Sequence, residues 1–140
     1  MRFPPELTAG TLTTFGGRIE RADERECRIR YPFDRAWCNP RGTLQGGIFA
    51  VFLDDAMSFA VVAALGPQVR FTTIDMTIDY LAPVGSGDVI AIGRVLRAGR
   101  RVIFVEGEVD HDSVTAVRAR SSVLLLPAAR TAEGERAATD

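Results

Sequence analysis

The chain has 140 residues and a mass of 15.2 kDa, which is the size of one domain with a sizeable core and too small for two independent domains. Its composition, 46% hydrophobic and 25% charged, excludes a wholly disordered chain and an integral membrane protein. The net charge of −1 supplies no positive field for a phosphate backbone, so we expect no nucleic-acid partner. All 17 basic residues are arginine, which excludes lysine chemistry.

Metal and disulfide chemistry have few available ligands. Cys27 and Cys38 are the only cysteines, and His111 is the only histidine. Because no CxxC motif or Cys/His cluster accompanies them, we expect two reduced thiols and no metal site. The N-terminal segment MRFPPELTAG lacks the apolar stretch of a secretory signal, so we expect a cytoplasmic protein with no membrane partner.

The first third of the chain predicts short elements. Residues 10–33 mix β-branched and polar side chains around Gly16-Gly17, and they predict two short strands. Residues 34–43 contain Pro40 and Gly42, and they predict a loop that leads into the next element.

A buried helix is predicted next. Apolar side chains occupy almost every face of residues 48–65, which lie between a glycine pair and a Gly66-Pro67 stop. Asp54 and Asp55 stand at the centre of this segment, where charges are least tolerated in a bilayer, so we interpret it as a core helix.

Four long runs of alternating residues follow the helix: VRFTTIDMTIDYLAP, GDVIAIGRVLRAG, RRVIFVEGEVD and SVTAVRARSSVLLL. They predict an antiparallel meander, and the whole order predicts an α+β fold in which a sheet wraps a single helix. We expect one domain over residues 1–126. Residues 127–140 are small, polar and charged, and they predict a flexible C-terminal tail.

The glycine pair Gly46-Gly47 is the first candidate for chemistry. The N–H groups of a first helical turn have no partner within the helix, so they can stabilise a developing negative oxygen. The alternative is structural, because two glycines also allow a loop to approach the sheet closely.

Asp54 and Asp55 lie too deep in the helix to act as caps, and burying a carboxylate is costly unless it is hydrogen-bonded or paired. Asp54 shares a helix face with Ser58, and a carboxylate near a hydroxyl suits the orientation of a water molecule. The alternative for Asp54 is an anchor for a loop or a neighbouring chain. Asp55 points about 100° away, and we expect a structural role for it, such as an exposed or interface partner for an arginine.

The distance between the two candidates bears on assembly. Eight residues of helix separate Gly46 from Asp54, a rise of about 12 Å. Reacting atoms must come within about 3.5 Å of each other, so one chain cannot place both residues at one reacting centre. If both serve one site, the protein is a dimer with two equivalent sites.

The segment NPRGTLQGGIFAVFLD, residues 39–54, resembles the N-x-x-G-x-x-H-G-G-x-x-x-x-x-x-D signature of hotdog-fold acyl-CoA thioesterases of the phenylacetate-pathway (PaaI-like) type. The likeness continues through TIDMTIDYLAPV and covers most of the chain. It implies a hotdog fold, an antiparallel sheet wrapped around one long central helix. It also implies a homodimer, with a tetramer of two dimers, and no metal or redox cofactor.

The resemblance implies a role for each matching residue. Asp54 matches the catalytic carboxylate, which is a general base or a nucleophile, and Gly46 matches the glycine whose N–H polarises the thioester carbonyl. Asn39 matches a polar residue that orients water or the carbonyl. Ser58 and Thr73 lie where some members have a helper hydroxyl and a water-positioning serine.

Position 45 departs from the signature, because it carries glutamine where the family usually has histidine. The Gln45 amide can still donate a hydrogen bond, but it does not titrate near neutral pH. This departure bears on the rate and on its pH dependence.

The remaining candidates are residues for substrate binding, and Gly47 is one of them. Arg97, Arg100 and Arg101 form a basic turn that is suited to the phosphates of coenzyme A, although charged hairpins also occur without a ligand. His111 is predicted to be a solvated turn residue.

The resemblance implies hydrolysis of an acyl-CoA thioester to the free acid and coenzyme A. The alternative is a protein of the same fold that binds an acyl-CoA or aromatic ligand without catalysis, and Gln45 is its main support. A hotdog hydratase or dehydratase would need a catalytic histidine, and His111 lies outside the signature.

Overall fold

The structure, a computed structural model, describes residues 2–129. Its helices are α1 (Pro5–Thr8), α2 (Thr11–Thr14) and α3 (Gly46–Leu65), and a single 3₁₀ turn spans Arg35–Trp37. Its strands are β1 (Arg18–Ala22), β2 (Cys27–Tyr31), β3 (Phe71–Tyr80), β4 (Val89–Ala98), β5 (Val102–His111) and β6 (Val114–Leu125).

The six strands form one antiparallel sheet in the order β1-β2-β4-β5-β6-β3, and this sheet wraps α3. The predicted α+β architecture, with one helix serving the whole concave face, is confirmed. The two short strands, the long helix and the four long strands also occur in the predicted order.

The predicted meander is correct for β4, β5 and β6 and wrong for β3. β3 pairs with β6 at the edge of the sheet, and β4 pairs with β2 instead. Eight residues connect β3 to β4, which is longer than a tight hairpin and allows the chain to cross to the far side of the sheet. Alternation within a strand reports its buried face and not its neighbour, so the sequence left this pairing open.

The N-terminal segment holds a second difference. Residues 11–14 were expected in a strand region, but they form α2, which begins after Gly10 with its φ of +85°. α2 lies against α3 and buries Leu12. Tertiary packing therefore overrides the strand preference of three threonines in this short segment.

The predicted domain boundary and C-terminal tail lie near the end of the described residues. The single-domain boundary at residue 126 stays a prediction. Residues 127–129 are exposed and lack regular structure, and the rest of the predicted tail, 130–140, lies outside the described residues.

α3 is long and apolar enough to cross a membrane by length and composition, yet half of its 20 residues are buried inside the fold. Two strand glycines explain how closely it packs. A Cβ added at Gly93 would lie 2.2 Å from the Ala56 carbonyl oxygen, and one at Gly107 would lie 3.1 Å from the side chains of Leu53 and Met57. The backbone of α3 therefore rests directly on β4, where only glycine fits.

We expect Gly93→Ala to destabilise the protein by about 3 kcal/mol or more, because its methyl group must push α3 away from a densely packed sheet. Urea denaturation measures the loss. Gly85→Ala is the matched control, since a Cβ there makes an ordinary contact 3.5 Å from the nearest atom. Equal stability for the two variants would contradict the packing argument.

Candidate active site

The first turn of α3 presents free backbone donors. The chain enters it through hydrogen bonds from Leu44 N–H to the Val84 carbonyl and from Gln45 N–H to the Trp37 carbonyl. Gln45 is the N-cap residue, and its side chain makes no capping hydrogen bond. Within residues 2–129, the N–H groups of Gly46 and Gly47 bond to no acceptor. These donors carry the partial positive charge of the helix N-terminus.

Tyr80, at the end of β3, lies across the same turn. Its hydroxyl donates a 2.7 Å hydrogen bond to the Gly46 carbonyl. A Cβ added at Gly46 would lie 3.1 Å from that hydroxyl oxygen, so glycine at this position makes room for the tyrosine. Sequence reasoning did not connect Tyr80 with Gly46, because the two residues are 34 positions apart.

The Asn39 side chain lies in the loop before α3, where it organises the loop itself. Its amide nitrogen donates to the Thr43 hydroxyl at 2.9 Å. Its carbonyl oxygen accepts from the N–H groups of Arg41 and Thr43 at 2.9 and 3.3 Å. Both polar ends of Asn39 thus have partners within residues 39–43, and the loop that delivers Gly46 depends on them.

Asp54 is partly buried in the middle of α3. Burial raises the pKa of its carboxyl group, the charge of Asp55 raises it further, and a hydrogen bond from Thr73 lowers it. The Thr73 hydroxyl lies 3.5 Å from Asp54 Oδ1, which is longer than the usual limit of about 3.0 Å for such a bond, so the contact is weak. The structure therefore brings the Thr73 hydroxyl to Asp54, and the water-positioning role of Thr73 stays a prediction. Ser58 is partly buried, and its proposed helper role stays a prediction.

Asp55 has different surroundings from those expected. Its carboxylate accepts hydrogen bonds from the Thr11 hydroxyl at 2.7 Å and from the Tyr31 hydroxyl at 2.6 Å. Tyr31 is completely buried and stacks on Phe52 with ring centroids 3.9 Å apart. Burial and the Asp55 carboxylate raise the pKa of this tyrosine, so it stays a donor. Asp55 therefore has a structural role, as predicted, and its partners among the described residues are two hydroxyl groups and not an arginine.

The arginines separate into two groups. Arg100 and Arg101 line a surface cavity of about 510 Å³, and Arg70 contributes a third guanidinium that sequence reasoning missed. Arg70 also donates to the Pro127 carbonyl at 2.9 Å. Arg97 lies opposite Phe104 on the β4–β5 ladder and does not line this cavity.

His111 is the last residue of β5, next to the turn before β6, and its side chain is only 19% exposed, so the predicted solvated turn position is wrong. Its Nε2 lies 3.5 Å from an Asp112 carboxylate oxygen. Among the described residues, no group of three or more His, Cys, Asp and Glu side chains is arranged to hold a metal ion.

The sequence matches a known protein family across this region. The profile of the thioesterase superfamily matches residues 41–117, which include the α3 turn, Asp54 and Thr73. The chain belongs to the thioesterase superfamily. It is also 36% identical over 102 residues to a candidate esterase of Halobacterium salinarum, with 69% of this chain and 67% of that protein covered.

Two solved structures share the fold of this superfamily member. A candidate thioesterase of Ralstonia eutropha, described as related to phenylacetic acid degradation, is 27% identical with a TM-score of 0.77, covering 88% of this chain and 92% of that one. The Escherichia coli PaaI protein of the phenylacetic acid degradation operon is 19% identical with a TM-score of 0.78, covering 86% of each chain. The hotdog fold and the resemblance to PaaI-like thioesterases are confirmed.

The environment of Asp54 predicts a stability effect. Because its pKa is raised in the folded state, ionisation of Asp54 reduces the free energy of unfolding as the pH rises through that pKa. We expect Asp54→Asn to unfold at a higher urea concentration than wild type near pH 7. This advantage should vanish below the pKa of a free aspartate, about 3.9, where the wild-type carboxyl group is also neutral.

Asp79→Asn is the control for this comparison, because Asp79 is an exposed aspartate on the same sheet. It should shift the urea midpoint little at either pH. A lower midpoint for Asp54→Asn at neutral pH would mean that the ionised Asp54 stabilises the fold.

Proposed function

We propose that the protein hydrolyses an acyl-CoA thioester to the free acid and coenzyme A. Thioester hydrolysis follows from the superfamily. The observation that carries the proposal is that α3 bears both groups that the reaction needs. The Gly46 N–H is a free donor, and the Asp54 carboxylate has one contact, from Thr73. The Gly46 N–H can stabilise an oxyanion, and the Asp54 carboxylate can attack the thioester carbon or activate water.

In the proposed reaction the thioester oxygen accepts a hydrogen bond from the Gly46 N–H. Asp54 removes a proton from water as the water oxygen bonds to the carbonyl carbon, or its own oxygen attacks that carbon and water later releases the acid. The tetrahedral intermediate then collapses with cleavage of the C–S bond. In the general-base route the departing sulfur receives the proton that Asp54 took from water; in the nucleophile route the sulfur leaves as a thiolate, and water then hydrolyses the acyl-aspartate anhydride. The raised pKa of Asp54 makes it a stronger base than a free aspartate.

The other site residues support these two groups. Gln45 is exposed beside Gly46, where its amide can donate to the substrate or to the departing thiolate. Asn39 contributes by fixing the loop that precedes Gly46. Thr73 holds the Asp54 carboxylate from β3, and Gly47 offers a second free N–H. No metal or redox cofactor enters this mechanism.

The proposal requires a dimer, and β3 supplies a surface for it. This ten-residue strand pairs only with β6 among the described residues, so its other edge is open. Ile74 and Tyr80 on this strand, and Leu81 directly after it, are more than half exposed, at 53, 55 and 58%. Such an edge favours pairing with another strand.

The direction of α3 along β3 allows this dimer to bring Gly46 of one subunit near Asp54 of the other. Tyr80 at one end of β3 contacts Gly46, and Thr73 near the other end contacts Asp54. An antiparallel, twofold pairing of β3 with its copy sets the Tyr80 end of one subunit against the Thr73 end of the other. Each Gly46 then approaches the Asp54 of the partner subunit. A tetramer of two such dimers is the larger assembly we propose.

The cavity lined by Arg70, Arg100 and Arg101 is the proposed contact for the coenzyme A phosphates, because guanidinium groups bind phosphate oxygens in bidentate fashion. Arg70 lies three residues before Thr73, about 10 Å away along the strand. Arg97 is exposed at the other side of the turn and would contribute only long-range attraction. Acyl-CoA is the proposed partner, with neither nucleic acid nor membrane, and the cytoplasm is the proposed location.

A binding protein without catalysis is the second candidate, and Gln45 is the observation that favours it. Glutamine leaves the site without the titratable side chain that the family usually has at this position. In that case Asp54 would serve as an anchor for the bound ester and not as a base.

Release of free thiol from a panel of aromatic, short-chain and medium-chain acyl-CoA esters tests the proposal. We expect Asp54→Asn to lower the rate by at least about 100-fold, the range lost with a general base, while calorimetry still detects ester binding. Asp79→Asn is the matched control and should keep the wild-type rate. Binding without turnover by the wild-type protein would favour the second candidate, and Gln45→His would then be the variant to assay.

Subunit complementation tests the shared site. Gly46→Pro removes the N–H donor at a position where proline is tolerated, since Gln45 before it is already extended. Dissociated and remixed with Asp54→Asn, it should regain about a quarter of wild-type activity, because half of the dimers are mixed and each has one intact site. Gly46→Ala keeps the N–H and is the control for the added bulk. Mixing that restores no activity would place both groups in one subunit.

A further inference from the structure

A β-bulge interrupts β3 beside the proposed site. Thr73 lies opposite Val123 on β6, and the next paired residue, Asp75, lies opposite Ser122. Ile74 is therefore an extra residue on β3 with no partner of its own on β6. Bulges of this kind bend a strand and change the face to which the following residues point.

The bulge decides which face of the sheet Thr73 occupies. Residues directly opposite each other on an antiparallel ladder point to the same face. Tyr80 lies opposite the buried Val117 and Thr73 opposite the buried Val123, so both face α3. Thr77 and Asp79 lie opposite the exposed Arg120 and Arg118 and face outward, away from α3.

A regular strand cannot produce this arrangement. Thr73 and Tyr80 are seven residues apart, and an odd separation puts two side chains on opposite faces. With no extra residue, Ile74 would face α3 and Thr73 would turn outward. The single bulge between them lets Tyr80 reach Gly46 while Thr73 reaches Asp54.

Two hydrogen bonds hold the bulge, and both involve Asp75. The Ser121 hydroxyl donates to the Asp75 carbonyl oxygen at 2.6 Å. The Ser122 backbone N–H donates to the Asp75 carboxylate at 2.9 Å. Ser121 is 5% exposed and is the buried polar side chain of the described core. A hydroxyl placed there needs a partner, and the bulge supplies it.

We propose that Asp75 and Ser121 are positioning residues of the active site, which hold the Ile74 bulge and so keep the Thr73 hydroxyl directed at Asp54. This inference rests on the proposed function of Asp54. Neither residue touches the reacting atoms, and each acts through Thr73.

The groups around Asp54 make the effect measurable. Asp55, on the same helix, is the charged group that acts on the Asp54 carboxyl, and Thr73 is the group that reaches it from β3. The Thr73 hydrogen bond stabilises the ionised form, so its loss should raise the pKa of Asp54. Loss of the Asp75 charge alone would act in the opposite direction, which separates the two effects.

The test measures the pKa of Asp54 by carboxyl-carbon NMR titration, which needs no turnover. Asp75→Ala, Ser121→Ala and Thr73→Val should each raise this pKa, and Thr73→Val combined with either of the others should raise it no further than Thr73→Val alone. With an ester that the wild-type protein hydrolyses, each single variant should lose about tenfold in kcat/KM, as expected for the loss of a hydrogen bond to a charged group.

Two conservative variants serve as controls. Asp75→Asn keeps an oxygen that can accept from the Ser122 N–H and removes only the charge, and Ser122→Ala keeps that N–H itself, so neither variant should raise the pKa of Asp54. Circular dichroism checks that each variant is folded. Because Ser121 and Asp75 lie on different strands, either variant alone decides the question if the other unfolds.

An unchanged pKa of Asp54 in Asp75→Ala and Ser121→Ala would overturn the inference, as would effects that add to that of Thr73→Val. Failure of the proposed function looks different. In that case the wild-type protein hydrolyses no ester, while the titration still reports whether the bulge directs Thr73 to Asp54.

Discussion

The contact between α3 and β4 at Gly93 sets the geometry on which the rest of the molecule depends. Because the carbonyl of Ala56 occupies the space that a side chain would need, the helix backbone lies as close to the sheet as two backbones allow. This contact fixes the distance between α3 and β4. The first turn of the helix lies against Tyr80 and its middle against Thr73, and the bulge in β3 sets the face on which Thr73 lies.

Two adjacent carboxylates on this helix show how location separates structural from chemical roles. Asp55 accepts from two hydroxyl groups, one on α2 and one on β2, and so ties both elements to α3. Asp54 has a single long contact from Thr73, and burial disfavours its charged form. A protein selected for stability alone would not keep such a group in its central helix. The proposed role of Asp54 as a base or nucleophile would account for a carboxylate at this position.

β3 connects the fold with the site. It is an edge strand, so it can present one side to α3 and its open edge to another subunit. Its bulge changes the side-chain alternation between Thr73 and Tyr80, which lets one strand serve both ends of a site. A regular strand with Tyr80 in the same place would leave Thr73 on the opposite face.

Local sequence determined the features that depend on neighbours along the chain. The all-apolar segment predicted α3, the glycine pair predicted its donor-bearing first turn, and the two aspartates stood out because buried charge is costly. Only the tertiary structure decided which strands pair, that Tyr31 and Thr11 satisfy Asp55, that Arg70 joins Arg100 and Arg101, and that Ile74 forms a bulge. Each of these contacts joins residues that are far apart in the chain or depends on the register between two strands. Periodicity within one segment carries no information about either, because it reports only which face of that segment is buried.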